Sequence, residues 1–205
     1  MARDRSPIVK QSRREGYALH PKAHKIMLKR TNIPGEHGGG RQSKPSGYAL
    51  QLREKQKVRR LYGLLEKQFR NLMKEADRAH GQSGVLLLQM LERRLDNAVY
   101  RAGFATSRRG ARQLVGHGHF MLNGKRVDIP SIRVSAGDEI VVREKSKTNE
   151  YFKEIAEIHT ASGQPTLSWL TSDAKKKTIK ITGLPTREES EPDIKEQLIV
   201  EYYSR

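Results

Sequence analysis

Apolar positions recur at helical spacing through the middle of the chain. They predict a helix over 64–79 and helical structure over 85–102, as one helix or two. The inward positions of the first segment are Leu65, Phe69, Leu72, Met73 and Ala76. Those of the second are Leu88, Leu91, Leu95, Ala98 and Val99. A further helix is predicted over 48–62, with many basic side chains along it.

After residue 107 the apolar spacing changes from that of a helix to that of strands. Ser107 is a suitable N-cap for a short helix over 108–115, whose apolar side holds Ala111, Leu114 and Val115. Asn123-Gly124 then favours a two-residue turn between strands at 119–122 and 125–129. One strand face holds Phe120, Leu122, Val127 and Ile129, and the other holds His119, Met121, Arg126 and Asp128. The pattern predicts an amphipathic helix packed on a hairpin.

The flanks of this core carry weaker signals. Strands are predicted at 139–143, after a Gly137-Asp138 turn, and at 178–181, with a short helix at 151–159. The pattern at 194–205 fits a helix or a strand equally well. Residues 1–45 hold few apolar positions and contain turn and linker chemistry at Pro34-Gly35 and 38–40. They read as a basic arm that orders on its partner, the alternative being a disordered tail without specific contacts.

Charge narrows the class of partner. The net charge is +17, and residues 1–60 alone carry 16 Lys and Arg against 4 Asp and Glu. Residues 61–150 carry 16 against 10, and residues 151–205 carry 8 against 9, so an anion-binding surface is expected in the first two thirds. The longest apolar block, 85–88, is too short to span a membrane. Aromatic residues make up 6% of the chain, which favours folded RNA over single strands.

The residue pattern contains no convincing active site. His20 and His24 have ligand spacing, but Pro21 and the lack of a third ligand argue against a metal site. His117 and His119 lack the carboxylate and nucleophile that would complete a catalytic group. Asp96, between Arg94 and Arg101 on a predicted helix, is predicted to form a structural ion pair or a helix cap. The chain has no cysteine and no apolar signal segment at its start, which is typical of a cytoplasmic protein.

The segment "RRLDNAVYRAGFATSRRGARQLVGHGHFMLNGKRVDIPSIRVSAGDEI" resembles the RNA-binding domain named after the fourth protein of the small ribosomal subunit. Pseudouridine synthases, a heat-shock protein and some tyrosyl-tRNA synthetases share that domain. The flanking stretches "IPGEHG", "YGLLEKQFRNL" and "EQLIVEYYSR" resemble the bacterial S-four ribosomal protein family itself. The resemblance covers essentially the whole chain in order.

This resemblance implies an α+β fold in three parts. They are a basic N-terminal RNA-binding arm (1–45), a helical domain (46–93 with 184–205) and an inserted RNA-binding domain of helices on an antiparallel sheet (94–183). Some relatives carry a four-cysteine zinc knot, which this cysteine-free chain cannot form, so no cofactor or metal is expected. The implied location is the small ribosomal subunit in the cytoplasm.

The implied role is primary binding to a multi-helix junction in the 5′ domain of small-subunit ribosomal RNA. Family members nucleate subunit assembly there, lie next to small-subunit proteins three and five, and influence decoding accuracy. Some bind their own messenger RNA. We expect no enzymatic activity, no DNA partner and no membrane partner. The rivals are an RNA-modifying enzyme, which would need a catalytic domain, a DNA-binding architectural protein and, least compatible with the charge, a protein-only adaptor.

Three cationic surfaces are predicted to clamp RNA phosphates. The arm would contribute Arg13, Arg14, Lys22, Arg30, His37, Arg41 and Lys44. The helix over 48–62 would contribute Arg53, Lys55, Lys57, Arg59 and Arg60. The short helix and its hairpin would contribute Arg108, Arg109, Arg112, His117, His119, Lys125 and Arg126.

Overall fold

A computed structural model describes residues 4–40, 43–155, 157 and 167–204, and its fold is α+β. The chain forms two compact units. The helical unit comprises Met1–Leu87 and Asp193–Arg205, and the mixed unit comprises Leu88–Pro192.

The helical unit is built from six helices among its described residues, the fifth of which contains the unit boundary. They are α1 (Ile8–Glu15), α2 (Pro21–Lys29), α3 (Gly47–Leu61), α4 (Glu66–Arg78), α5 (Ser83–Glu92) and α10 (Glu196–Tyr203). A 3-10 turn spans Glu36–Gly39. The C-terminal segment, which the sequence left open, is therefore a helix.

Local chemistry explains where the helices of this unit begin and how they pack. The Ser46 hydroxyl accepts a hydrogen bond from the Ala49 amide at 3.3 Å and caps α3. The apolar side of α4 buries Phe69, Met73 and Ala76, as its spacing predicts. Helix α10 packs along α3, and α1 packs against α2 and α3. Residues 8–29 thus contain two helices that the sparse apolar pattern did not reveal.

The mixed unit places helices against one antiparallel sheet. Its helices after α5 are α6 (Leu95–Arg101), α7 (Arg108–Gly116), α8 (Glu144–Lys147) and α9 (Glu150–Lys153). Its strands are β1 (Phe120–Leu122), β2 (Lys125–Val127), β3 (Glu139–Val142), β4 (Leu170–Asp173) and β5 (Thr178–Ile181). The strand order is β2-β1-β3-β5-β4. The core lies between α6, α7 and the sheet and includes Phe104, Phe120, Phe152 and Trp169.

The predicted hairpin is present in the predicted register. Phe120 lies opposite Val127, and Leu122 lies opposite Lys125. Asn123 and Gly124 have φ values of 50° and 77°, the left-handed pair that a tight two-residue turn requires. The Asn123 side chain also accepts from the Glu139 amide at 2.9 Å, so the turn is tied to β3.

Most predicted elements agree with the structure, and two details differ. The helical stretch over 85–102, predicted as one helix or two, is two helices, with α6 beginning at Leu95 after an extended Arg94. Strand β4 was not predicted. The described part of the helix expected over 151–159 is α9, and residues 156, 158 and 159 lie outside the described residues.

The compact units also have bounds other than those of the three predicted parts. Residues 184–192 belong to the mixed unit. The Pro185 carbonyl accepts from Gln89 at 3.1 Å, and Glu191 pairs with Arg108 at 2.7 Å. The division of the chain into an arm and two domains remains a prediction.

Candidate nucleic-acid interface

Helix α7 carries three of the predicted RNA-binding arginines. It begins at Ser107, whose hydroxyl accepts from the Gly110 amide at 3.2 Å as predicted. Ala111 and Val115 are buried, and α7 packs against α6. The apolar side therefore fixes the helix on the core of the mixed unit.

A buried carboxylate, that of Glu92, is the centre of a hydrogen-bond network that includes the first residue of α7. Glu92 is fully buried and accepts two hydrogen bonds from Arg101, at 2.9 and 2.8 Å. The Asn97 amide donates to Glu92 Oε2 at 2.7 Å, and Arg108 Nε donates to Asn97 Oδ1 at 2.9 Å. Arg108 also donates to Glu191 at 2.7 Å. We call these five residues the Glu92 network.

A second ion cluster lies beside it. Asp96 accepts two hydrogen bonds from Arg94, at 3.0 and 2.9 Å, so the structural ion pair predicted for Asp96 is confirmed. Arg112 Nη1 lies 3.7 Å from Asp96. Bidentate geometry and burial make the Arg94–Asp96 pair a rigid part of the core edge.

The three α7 arginines are predicted to clamp RNA phosphates, but two of them point inward. The Arg108 and Arg112 side chains are 13% and 11% exposed, because they point into the acidic clusters. The Arg108 guanidinium also lies over the Tyr100 ring, 4.6 Å from its centre. Arg109 is half-buried. The phosphate-binding role of these three residues remains a prediction.

The hairpin presents its cations outward. Lys125 and Arg126 are exposed on β2, and neither forms an ion pair with any described residue. The Arg126 guanidinium lies directly over Gly118, where an added Cβ would come within 2.8 Å of it. A glycine at this position, with φ of 70°, therefore lets Arg126 lie flat against the backbone.

The two predicted histidines lie beside this hairpin. His117 is exposed, and its ring centre is 5.9 Å from that of His119. His119 Nδ1 is 3.0 Å from the Ser146 hydroxyl, and its ring meets Phe152 edge-on. Burial, helped by His117 and Arg143, lowers the pKa of His119 below its usual 6.5. His119 is thus a neutral hydrogen-bonding group near pH 7.

Helix α3 holds its five basic side chains in ion pairs. Lys55 is 3% exposed and lies 2.8 Å from Glu66, and Lys57 lies 2.8 Å from Glu54. Arg59 is 3.5 Å from Glu66. Arg53 and Arg60 share the buried Glu15, at 3.2 Å for Arg53. Burial raises the pKa of Glu15 against the pull of these arginines.

This arrangement differs from the phosphate-clamping surface predicted for α3, because most of its basic side chains face carboxylates of the protein. Four of the five side chains are less than one fifth exposed, and Arg53 is the exception at 42%. The physical reason is that carboxylates from α1, α3 itself and α4 face the helix. Contacts of these five residues with RNA remain a prediction.

The N-terminal residues of the predicted surface lie mostly in solvent. Arg13 Nε donates to the Asn32 carbonyl at 3.0 Å and is half-buried. The exposed members are Arg14, Lys22, Arg30, His37 and Lys44. Arg41 lies outside the described residues. Gly38, the next residue in the chain, packs against the Ile33 carbonyl. A Cβ at this position would lie 1.8 Å from the carbonyl oxygen, so only glycine fits.

Sequence reasoning missed the acidic partners rather than the basic residues. Glu15, Glu66, Glu92 and Glu191 each hold a predicted RNA-binding cation, or lie in its ion-pair network, yet none stands out in the sequence. They lie several to many residues away from the cations in the chain, so their pairing is not visible in the sequence. The only available signal was that residues 1–60 contain few acids, each of which is then a candidate ion-pair partner.

The described part of the chain contains neither a candidate metal site nor a candidate membrane span. No group of three or more His, Asp or Glu residues there has metal-binding geometry. No helix there has the length and apolar character needed to cross a bilayer.

Comparison with known proteins identifies the family. The profile of the ribosomal protein S4/S9 N-terminal domain matches residues 3–92, and that of the S4 domain matches residues 93–140. Small ribosomal subunit protein uS4 of Chlorobaculum tepidum is 50% identical over 205 residues, with 100% of both chains covered. The uS4 proteins of Clostridioides difficile and a Roseiflexus species are 49% and 47% identical, also over 100% of both chains. The chain belongs to the ribosomal protein S4 family.

The residues that the two family profiles match correspond to elements described above. The S4 domain match contains α6, α7 and the β1–β2 hairpin, and so includes the Asp96 cluster and the exposed hairpin cations. The S4/S9 N-terminal match contains α1 to α5 with the ion pairs of α3. The predicted resemblance to the S-four family is confirmed.

Proposed function

We propose that this protein is a structural constituent of the small ribosomal subunit that binds small-subunit ribosomal RNA. The observation that carries the proposal is identity of 47–50% to uS4 proteins over the full length of both chains. Exposed cations on the hairpin and in the N-terminal segment support it, because phosphate contacts supply most of the affinity for RNA.

The finer role that we propose is primary binding of the 5′ domain at a junction of several helices. Such binding fixes the angles between RNA helices, nucleates subunit assembly and contributes to translational accuracy. The proposed protein neighbours are small-subunit proteins three and five, and the chain's own messenger RNA is a further candidate ligand. The proposed location is the ribosome in the cytoplasm, and the proposed role requires no catalysis.

We further propose that the predicted site residues divide into two groups. Exposed side chains would contact phosphates directly, and Lys125, Arg126, Arg14, Lys22 and Arg30 are the foremost of these. Arg108, Arg112 and Lys55 would instead hold the contacting elements in place, because their side chains already pair with carboxylates of the protein.

The test is binding to the 5′ domain RNA across a salt series. The comparison ligands are an unrelated folded RNA of equal length and a DNA duplex. All three should show a steep salt dependence, because each phosphate contact releases counterions. Binding to the 5′ domain should persist at salt concentrations that abolish the other two. Equal binding to all three would mean that the protein is a generic polycation.

A further inference from the structure

A cleft lies at the start of α1 in the helical unit. Its volume is about 210 Å³, and its lining includes Ser6, Lys10, Gln11, Arg14 and Arg60. This volume equals that of about seven molecules of liquid water, enough for one phosphate with its sugar. We call it the α1 cleft.

The α1 cleft has an excess of positive charge. Lys10 and Arg14 are exposed and form no ion pair with any described residue. The nearby acids already have partners, since Asp4 accepts hydrogen bonds from Ser6 and Gln11 at 2.8 Å, and Glu15 Oε1 pairs with both Arg53 and Arg60. Helix α1 also begins without a side-chain cap and with no acid in its first turn, so its dipole adds to the positive potential.

Two buried atoms of the cleft residues lack hydrogen-bond partners in the protein. They are Arg60 Nε, a donor, and Gln11 Oε1, an acceptor. A third such atom, Glu15 Oε2, belongs to the carboxylate that pairs with Arg60 and does not line the cleft. Buried polar atoms without partners are rare and costly, and such a pair beside a cleft points to a ligand that completes both. The ligand must offer an anionic acceptor and a hydroxyl or amine donor in one small group.

An ionised phosphodiester alone cannot meet this requirement, because its oxygens only accept hydrogen bonds. A ribonucleotide can, since its 2′-hydroxyl donates and lies next to the 3′-phosphate. We propose that the α1 cleft is a ribonucleotide subsite: Lys10, Arg14 and Arg60 hold the phosphate, and Gln11 Oε1 accepts from the 2′-hydroxyl. This deepens and rests on the proposed binding of ribosomal RNA, and it adds Lys10 and Gln11 to the contacting residues.

The first test removes the free cations of the cleft. In Lys10→Gln/Arg14→Gln, we expect affinity for the 5′ domain RNA to fall roughly tenfold or more. The salt slope should fall by about one to two. The matched control is Lys67→Gln/Arg70→Gln, which removes two exposed cations from α4 of the same unit. Equal losses in the two variants overturn the subsite while leaving the proposed function intact. Failure of the unmodified protein to prefer the 5′ domain overturns the proposed function instead.

The second test uses the unmodified protein and single nucleotides, so it does not depend on a variant folding. Uridine 3′-monophosphate should shift the backbone amide NMR signals of residues 8–11, and its 2′-deoxy analogue should bind several-fold more weakly. In Gln11→Leu this difference between the two nucleotides should disappear. Equal binding of both by the unmodified protein overturns the assignment to ribose, and no shift with either overturns the subsite.

Discussion

Helix α3 and the β1–β2 hairpin are both basic, but they use their charge in opposite ways. All five cations of α3 lie within ion-pair distance of Glu15, Glu54 or Glu66, and most are buried. Lys125 and Arg126 of the hairpin are exposed and have no such partner among the described residues. The charge of α3 stabilises the fold, whereas that of the hairpin is available to a ligand.

The density of basic residues in a segment therefore does not show whether their side chains face solvent or carboxylates of the protein. The carboxylate of Glu15 reaches Arg53 and Arg60 from 38 and 45 residues away in the chain. The helical unit nevertheless keeps the larger excess, with 22 basic and 10 acidic residues against 18 and 13 in the mixed unit. Residues 1–46 carry 11 basic and 3 acidic residues, so that excess comes largely from the N-terminal residues.

Helix α7 stands between these two cases, and its Glu92 network gives the largest expected effect. Glu92→Gln removes the buried charge that faces Arg101, so we expect the free energy of unfolding to fall by about 3–5 kcal/mol. Urea unfolding followed by circular dichroism measures it. The control is Glu188→Gln, an exposed position where the change should stay within about 0.5 kcal/mol. A loss below about 1 kcal/mol in Glu92→Gln would show that the network does not anchor α7.

The next largest effect tests whether the cations of α3 stabilise the fold. Lys55→Ala removes a 3% exposed side chain that pairs with Glu66 and lies 4.7 Å from the centre of the Tyr202 ring. We expect a loss of about 1–3 kcal/mol in unfolding free energy, because packing, the ion pair and the ring contact all disappear. The salt slope of RNA binding should stay unchanged under conditions where the variant is folded. A lower slope with unchanged stability would assign Lys55 to the RNA instead.

The hairpin should behave in the reverse way. Lys125→Gln/Arg126→Gln removes exposed charge only, so the unfolding free energy should change by no more than about 0.5 kcal/mol. The salt slope for 5′ domain RNA should fall by about one to two, because up to two phosphate contacts are lost. Lys175→Gln/Lys176→Gln, at an exposed turn of the same unit, is the control. If both pairs of substitutions weaken binding equally, the hairpin has no special place in the interface.

The sequence predicts the elements better than it predicts the directions of side chains. Helix α4, the cap at Ser107 and the Asn123-Gly124 turn follow from local chemistry, which acts over a few residues. Strand β4 was missed because "LTSD" has no regular alternation, and its pairing depends on β5. Helices α1 and α2 were missed because their few buried positions, such as Ser12 and Ala23, do not form an apolar stripe.

In the candidate site too, features set by local chemistry are predictable from the sequence, and features set by distant contacts are not. The outward position of Arg126 follows from strand alternation, and Lys125 is exposed because it adjoins the tight turn at the end of the hairpin, so both positions depend on local structure. The inward position of Arg108 depends on Glu92, Asn97 and Glu191, which only the folded chain brings together. A helical wheel assigns a side chain to a face, but it does not show which faces meet a buried carboxylate.

His119 provides the smallest expected effect and tests the electrostatics beside the hairpin. The pKa of His119 is lowered by burial, with His117 and Arg143 adding repulsion, so the folded protein binds this proton less readily than the unfolded chain does. Stability should therefore fall slightly as the pH drops from above 6.5 through the folded-state pKa. NMR titration of the His119 ring should give a midpoint below 6.5. Arg143→Gln should raise that midpoint, whereas Lys145→Gln, an exposed cation that is not among the causes of the shift, should change it less. A midpoint at or above 6.5 would mean that His119 carries substantial charge near neutral pH and belongs with the cations of the hairpin rather than with its neutral donors.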